Sequence, residues 1–322
     1  MNNPKVSLLL PIYNVEKYIE NCVHSLFKQS YENIEFIFVD DCSCDNSISI
    51  LKNVMQQYPS RIKDVRILSH ARNRGLAAAR NTAVEHALGE YLMCVDSDDY
   101  IDTNAVSLLV QRMQDTSADI VLADIYFVYE KKMIMHKVPL FESPQQYLEA
   151  VLKRQVALSV WGKLFKKDLF SDVRFVEGVN FGEDYSVLPC LIYNATKIAK
   201  VDVPLYYYIQ YNANSYTRNL SLNSLNQVCA ANDHIASFFS DKDIDYKAVM
   251  LQSKLYLKLH LLKSVYKDGN LLKEVVNRYT EVDIISSQLP WPDRLVLYLS
   301  KRRWYSLLTI YLNVAIFLRK YI

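Results

Sequence analysis

Apolar and polar positions in the first hundred residues alternate between two periods. Val6-Ser7-Leu8-Leu9-Leu10 is a short apolar run stopped at Pro11, the pattern of a strand buried on both faces. Val15, Tyr18, Ile19, Cys22, Val23, Leu26 and Phe27 then recur at three- and four-residue spacing, which predicts a helix with one apolar face and Asn14 as its N-cap. The alternation repeats. Ile34–Val39 reads as a strand, followed by an acidic turn and a helix to about Tyr58. Val65–Leu68 is followed by a basic loop and a helix over Leu76–Ala87, and Tyr91–Val95 ends in Asp96-Ser97-Asp98-Asp99. Strand, crossover helix and strand at this spacing predict an α/β fold with a mostly parallel, Rossmann-like sheet flanked by helices. Ligands of such sheets sit beyond the carboxyl ends of the strands, where these polar clusters fall.

From about residue 119 the rhythm changes. Asp119–Tyr129 and Lys132–Val138 read as strands, Pro144–Arg154 as a helix, and Ser159–Phe165 as a further segment before the loop Phe181-Gly182-Glu183-Asp184. A helix is expected from there to about Asn194, then two short strands, Lys197–Val201 and Leu205–Tyr208. Beyond Leu220 the pattern is mainly helical, near 222–239, 246–267 and 270–279, with Pro290 and Pro292 opening a basic tail. The expected domains are an α/β unit over 1–220 and a helical C-terminal region over 221–322.

Composition narrows the chemistry. Only 6 glycines occur in 322 residues, where average usage of about 7% would give roughly 23. No pair of them fits G-x-G-x-x-G or G-x-x-x-x-G-K-[ST], so a Rossmann dinucleotide site and a P-loop are excluded as the working reading. A net charge of +2 gives no footprint for nucleic acid. The six cysteines form no C-x-x-C pair, and MNNPKVSLLLPIYN lacks a signal-peptide core, so reduced thiols in a cytoplasmic protein are expected.

Three polar clusters could carry chemistry. Asp96, Asp98 and Asp99 lie within four residues, where desolvating carboxylates together is costly without a cation. In an extended segment Asp96 and Asp98 would point the same way and suit Mg²⁺ or Mn²⁺. A solvated acidic turn is the other reading. Asp40-Asp41 could accept from a nucleobase imide or a ribose hydroxyl, or form a routine turn and helix cap. Arg72, Arg74 and Arg80, with Asn73 and Asn81, suit phosphate or a solvated basic face. Together the clusters describe a nucleotide carrying a diphosphate.

Pro11-Ile12-Tyr13-Asn14, Val39-Asp40-Asp41-Cys42-Ser43-Cys44-Asp45-Asn46-Ser47, Asn73-Arg74-Gly75 with Ala79-Arg80-Asn81, and Asp96-Ser97-Asp98-Asp99 follow one another in an order that resembles the family 2 glycosyltransferases of GT-A fold. Trp161-Gly162-Lys163-Leu164-Phe165, Gly182-Glu183-Asp184 and Pro204–Thr217 extend the resemblance more loosely. It implies an inverting, metal-dependent transfer of a sugar from a nucleotide-diphosphate sugar, usually a UDP-sugar, to a hydroxyl of a glycan or lipid-linked acceptor. By position, Pro11, Tyr13 and Asp41 would surround the base, with Asn14, Asp40, Asn73, Arg74, Arg80 and Ser97 in the same nucleotide-sugar set. Asp96 would meet the ribose or the Mn²⁺ or Mg²⁺, and Asp98 would hold the metal. Asp184 would be the catalytic base with Glu183 beside it, and Trp161 and Lys163 would line the sugar or acceptor side.

Two positions depart from the family pattern. Cys42 stands where glycine is common, and the loop at 206–217 carries Gln210, Asn212 and Asn214 in place of a basic residue, with Arg218 as a substitute. The processive-synthase signature Q-x-x-R-W is not met, because Ser300 precedes Lys301-Arg302-Arg303-Trp304. A nucleotidyltransferase is disfavoured because Pro11-Ile12-Tyr13-Asn14 is no glycine-rich arginine loop. A glycan-binding scaffold that keeps the fold is the other alternative, and a homo-oligomer is left open. Residues 290–322 carry six Lys/Arg and one Asp, and Trp304–Leu318 is mostly apolar. That combination predicts a helix lying peripherally on the inner face of the cell membrane, or docked on protein.

Overall fold

The structure, a computed structural model, describes residues 3–212, 220–242, 246–284 and 289–321. The opening elements follow the alternation in the sequence: β1 (Val6–Ile12), α1 (Ile19–Phe27), β2 (Ile34–Asp40), α2 (Ser47–Met55), β3 (Val65–Ser69), α3 (Leu76–His86) and β4 (Tyr91–Cys94). All seven residues of β1 are buried, which is why its polar–apolar alternation is absent. β1 pairs in parallel with β2 and β4, and β2 with β3.

The remaining elements of this part are β5 (Tyr100–Ile101), α4 (Ala105–Thr116), β6 (Ile120–Tyr129), β7 (Lys132–His136), α5 (Pro144–Leu152), β8 (Lys163–Lys166), α6 (Glu183–Asn194) and β9 (Ile198–Ile209). The strands join one sheet in the order β3-β2-β1-β4-β8-β6-β9-β5, with β7 added to β6. The parallel arrangement therefore holds from β3 to β4. Beyond β4 the sheet is mixed, since β8 runs antiparallel to both β4 and β6 while β6 and β9 are parallel. The two short strands expected at 197–208 are one twelve-residue strand. Register shifts around Asp124 absorb Pro204, which has no N–H for the ladder. α1 starts after Tyr18, so Asn14 does not cap it.

The chain divides into two compact units, residues 1–148 with 158–216, and residues 149–157 with 217–322. The short segment 149–157, expected in the first domain, thus clusters with the second unit. That unit contains α7 (Leu222–Ser240), α8 (Lys247–Val265), α9 (Gly269–Asn277), α10 (Trp291–Lys301) and α11 (Tyr305–Tyr321). No helix among the described residues is long and apolar enough to cross a membrane.

One buried acid sets how β4 meets β1. Glu35 of β2 accepts from Ser7 Oγ at 2.5 Å and from the backbone N–H groups of Leu88 and Gly89 at 2.5 and 3.0 Å, and pairs with Arg66 at 2.5 Å. A Cβ on Gly89 would lie 2.6–2.8 Å from Ser7 Oγ, Ser7 N and Lys5 O, so only glycine fits there. Burial alone would raise the Glu35 pKa, but the hydrogen bonds from Ser7 and Leu88 and the Arg66 charge outweigh it and hold the carboxyl below its usual value. Such a group stabilises the fold above its unfolded pKa, and the contribution fades as pH falls through the lower, folded value. Glu35→Ala is expected to cost about 2–4 kcal/mol in urea unfolding at pH 7, shrinking toward pH 3. A cost that does not change with pH would contradict this account.

Candidate active site

The corner beyond β1 and β2 is built from two loops laced together. Asn14 has φ 51 and its Oδ1 accepts from Cys44 N at 2.9 Å. Ser47 Oγ accepts from Val15 N at 2.8 Å, and Asp45 Oδ2 accepts from Glu16 N at 2.9 Å. Glu16 in return accepts from the backbone and side-chain N–H groups of Asn46. Asp45, Ser47 and Asn14 therefore hold the corner's shape. Tyr13, 42% exposed, stands beside it, while Pro11 is buried in β1 opposite Val39.

The two neighbouring aspartates work differently. Asp40, at the end of β2, accepts from Ser43 N at 2.9 Å. Asp41 is buried and grips the next loop: Oδ1 accepts from Arg74 N at 2.8 Å and lies 2.6 Å from His70 Nδ1, and Oδ2 accepts from Gly75 N at 2.7 Å. Arg72, Asn73 and Arg74 are exposed, and Arg74 pairs with Glu177 at 2.9 Å. Gly75, at φ 90, lies so near Asn180 that a Cβ would come within 2.2 Å of its side chain. His70 and Asn180 were not singled out in the sequence, because neither stands in a motif.

Arg80 gives the largest difference from expectation. Its guanidinium faces no solvent: it is 1% exposed and pairs with Asp96 at 2.7 Å, with Glu183 at 2.9 Å and with Asp184. A phosphate contact from it would have to displace these carboxylates, so its work is to gather them. Asn81 next to it exchanges two 2.9 Å hydrogen bonds with the backbone of Phe175, fastening the segment that leads to α6 onto α3.

The acidic cluster after β4 is a turn, closed by Asp99 N donating to Asp96 O at 3.0 Å, so the two-residue alternation of an extended strand does not apply. Each acid has its own partner. Asp96 meets Arg80, Asp98 accepts from Asn212 Nδ2 at 2.7 Å, and buried Asp99 accepts from Tyr206 Oη at 2.7 Å and Ile209 N at 2.8 Å. Ser97 is buried. Trp161 stacks on Tyr206 with ring centroids 4.7 Å apart and meets Tyr208 at the same distance in a tilted contact. Lys163 lines no open surface: it is 4% exposed and donates to Ser159 O at 2.7 Å, bracing the segment that carries Trp161. Asn214 and Arg218 lie outside the described residues.

Negative charge is in excess here. Burial, then the neighbouring Asp96, pushes Asp98 up to about 6. Burial and the adjacent Asp184 push Glu183 up to about 8 against the pull of Arg80. Asp184 is also raised, by burial first. Burial lowers Lys163 to about 8, opposed by the Asp184 charge. Among the described residues no three His, Cys, Asp or Glu side chains converge as a closed metal cage. The oxygen-only pair Asp96 and Asp98 nevertheless suits a hard divalent cation that draws its other ligands from a diphosphate and water.

Cys42, the residue at the family's glycine position, has φ 63. The left-handed conformation is therefore kept and strained by a side chain. Cys42→Gly is expected to stabilise by about 0.5–1 kcal/mol, the relief of strain less the added chain entropy, read as a rise in melting temperature. The carboxylate excess has its own signature. A carboxyl raised in the folded state stabilises fully below its unfolded pKa, and this is lost as pH rises through the folded value near 8. In chelator, stability should fall by up to about 1 kcal/mol per pH unit between pH 5 and 8, and Glu183→Gln should flatten that slope. An unchanged slope would place the effect elsewhere.

Comparison with known proteins bears on the family and the fold. The glycosyl transferase family 2 model matches residues 7–181. The chain is 33% identical to glycosyltransferase GlyG of Streptococcus pneumoniae over 218 residues, 63% of this chain and 70% of GlyG, whereas the matched stretch spans only 30% of another, longer relative. S. aureus TarS 1–349 in complex with UDP-GlcNAc superposes with a TM-score of 0.71 at 21% identity, covering 96% of this chain and 90% of that one. The mannosyltransferase PcManGT from Pyrobaculum calidifontis, in complex with GDP-Man and Mn²⁺, follows with 0.56 at 16% identity, covering 98% and 87%. With more than half its length matched to the family, and an α/β sheet of GT-A type carrying the motifs at its strand ends, this chain belongs to glycosyl transferase family 2.

Proposed function

We propose that the protein transfers one sugar, with inversion, from a nucleotide-diphosphate sugar to a hydroxyl of a glycan or lipid-linked acceptor in surface-polysaccharide assembly. A UDP-sugar is the favoured donor, in line with the UDP-GlcNAc held by TarS. The observation that carries the reading is the convergence on Arg80: the acid at the end of β4 and the two acids opening α6 meet at one guanidinium. A donor site and a base site, separated by more than eighty residues of chain, are thereby held side by side.

Each residue then has a physical task. Tyr13, exposed at the laced corner, offers a ring face to the base. Asp41 uses its oxygens on Arg74, Gly75 and His70, so its first contribution is to fix the loop over the nucleotide. Asp184 takes the proton of the acceptor hydroxyl. Inversion by direct displacement needs a carboxylate on the face opposite the departing diphosphate. Arg80 keeps that carboxylate ionised while burial keeps it basic, which is the balance a general base needs near neutral pH. Glu183, raised by burial and the Asp184 charge, competes less for Arg80 and leaves it chiefly to Asp96 and Asp184. Mn²⁺ or Mg²⁺ held by Asp98 and Asp96 would neutralise charge on the leaving diphosphate. The fine positions of Asn73, Arg74 and Ser97 in the same nucleotide-sugar set remain part of this proposal, with Trp161 on the sugar side.

Transfer and acceptor-free hydrolysis of a panel of nucleotide sugars, with divalent cation, test the reading. Asp184→Asn is expected to lose about 10²–10⁴ in turnover while still binding nucleotide. Asp98→Ala should lose turnover together with cation-dependent nucleotide binding. Because the base works only when ionised and its pKa is raised, the acidic limb of kcat/KM should lie above the ordinary carboxylate range. Equal turnover in all three proteins, or no nucleotide binding by any of them, would reject the enzyme.

A further inference from the structure

α11 has two apolar faces, one buried and one exposed. Leu308 and Leu312 are buried, at 0% and 2% exposure. Leu307, Ile310, Val314 and Phe317, by contrast, are each between 51% and 60% exposed. At about 100° per residue these four, with exposed Leu318 and Trp304, occupy a continuous arc roughly 140° wide. Ile310 also borders an open, mostly apolar groove between α9 and α11, in which Lys273 is the one charged lining residue.

Charge decides what covers this face. Lys301 closes α10 and Arg302-Arg303 open the connection to α11, all three exposed, and the half-exposed pair Tyr298 of α10 and Trp304 of the connection lie 6.0 Å apart edge to face. Arg302 lies over the Tyr298 ring, 5.5 Å from its centroid. The one acid of residues 290–322, Asp293, is already paired with Lys263 at 2.6 Å. The sequence places Arg319 and Lys320 at the far end of the helix, so both ends are basic. An apolar face bounded by cations and interfacial aromatics complements an anionic lipid surface, whereas a second copy would bring like charge against like. Seventeen residues give a helix of about 26 Å, which, with too little apolar length to cross, lies along the interface.

We propose that α11 and the basic loop before it dock the protein on an anionic bilayer surface, with the Leu307–Phe317 face inserted among the lipids and Lys301–Arg303 on the headgroups. The proposal extends the functional reading to the place where a lipid-linked acceptor is met, and its test needs no turnover. Full-length protein is sedimented with vesicles of phosphatidylglycerol and phosphatidylcholine and with vesicles of phosphatidylcholine alone. Binding to the anionic vesicles, weaker by about tenfold or more on the neutral ones and falling with salt, is expected. Ile310→Glu with Val314→Glu should abolish it, and Lys301, Arg302 and Arg303 all changed to Gln should reduce it about tenfold or more. These side chains are exposed, so far-ultraviolet circular dichroism and melting temperature should be unchanged. Transfer to a soluble acceptor should also be unchanged, which separates failure of docking from failure of the enzyme. Equal binding to both vesicle types, no binding, or a dimer in sedimentation velocity that Ile310→Glu with Val314→Glu dissolves would overturn the proposal.

Discussion

The candidate site is organised around one buried guanidinium. One guanidinium, Arg80, sits among three carboxylates from two distant segments of chain. Burying four charged groups costs several kcal/mol per ion unless they satisfy one another, so neither Asp96 nor the Glu183-Asp184 pair could occupy this place without the arginine. The helix that carries Arg80 is shaped for the purpose. Ala77, Ala78 and Ala79 are fully buried and small, letting α3 lie close to the sheet, and Gly75 leaves room for Asn180 at the helix start. Asn81 secures the same incoming segment through the Phe175 backbone. The segment from Phe175 to Asp184 is thus fastened at the N-cap of α3 and at two successive residues within it.

The arrangement is unbalanced on purpose. One guanidinium paired with three carboxylates, with Lys163 the other cation felt by Asp184, leaves negative charge to be carried by protons or by a bound cation. Burial and the neighbouring carboxylates raise Glu183 and Asp184, so each holds its proton to higher pH than an ordinary carboxyl. Removing that strain by substituting an acid would favour the fold, and under the proposed function it would also remove the group that accepts a proton or the charge that attracts a divalent ion. Stability given up at a site is regained elsewhere in this chain through well-satisfied buried acids such as Glu35 and Asp119, each held below its ordinary pKa by hydrogen bonds despite burial.

The parallel half of the sheet was legible because its strands are buried on both faces and separated by helices of clear period, as with Leu8–Leu10 and the Val15–Phe27 series. The other half was less so. β5 has two residues, too few for any period, and β9 contains a proline that reads as a break until the bulge around Asp124 is seen. Position along the strands also marked out the candidate site, since Asp41 and Asp96–Asp99 fall at strand ends. What the individual side chains do there was not readable. A guanidinium near a helix start looks the same whether it faces phosphate or a carboxylate 104 residues away, and Lys163 looks like a pocket residue until Ser159 is found at its ammonium group. Local sequence carries the type of group, whereas long-range packing decides its partner.

The turn after β4 shows how closely that decision is made. Four consecutive residues, three of them acids, divide their work by backbone geometry alone. Because Asp99 N closes the turn on Asp96 O, Asp99 is directed inward to Tyr206 and Ile209 and ties β9 to the turn. Tyr206 in turn accepts from Asp96 N at 3.1 Å and supports the Trp161 ring. With its two flanking acids fixed in this way, Asp98 is left with the side-chain amide of Asn212 and a carboxyl raised to about 6. A neutral amide relieves little of that charge. The three acids of the turn thus have three different surroundings, a guanidinium for Asp96, an amide for Asp98 and a phenol with a backbone N–H for Asp99, and the order of residues in the motif follows from that division rather than from a simple density of negative charge.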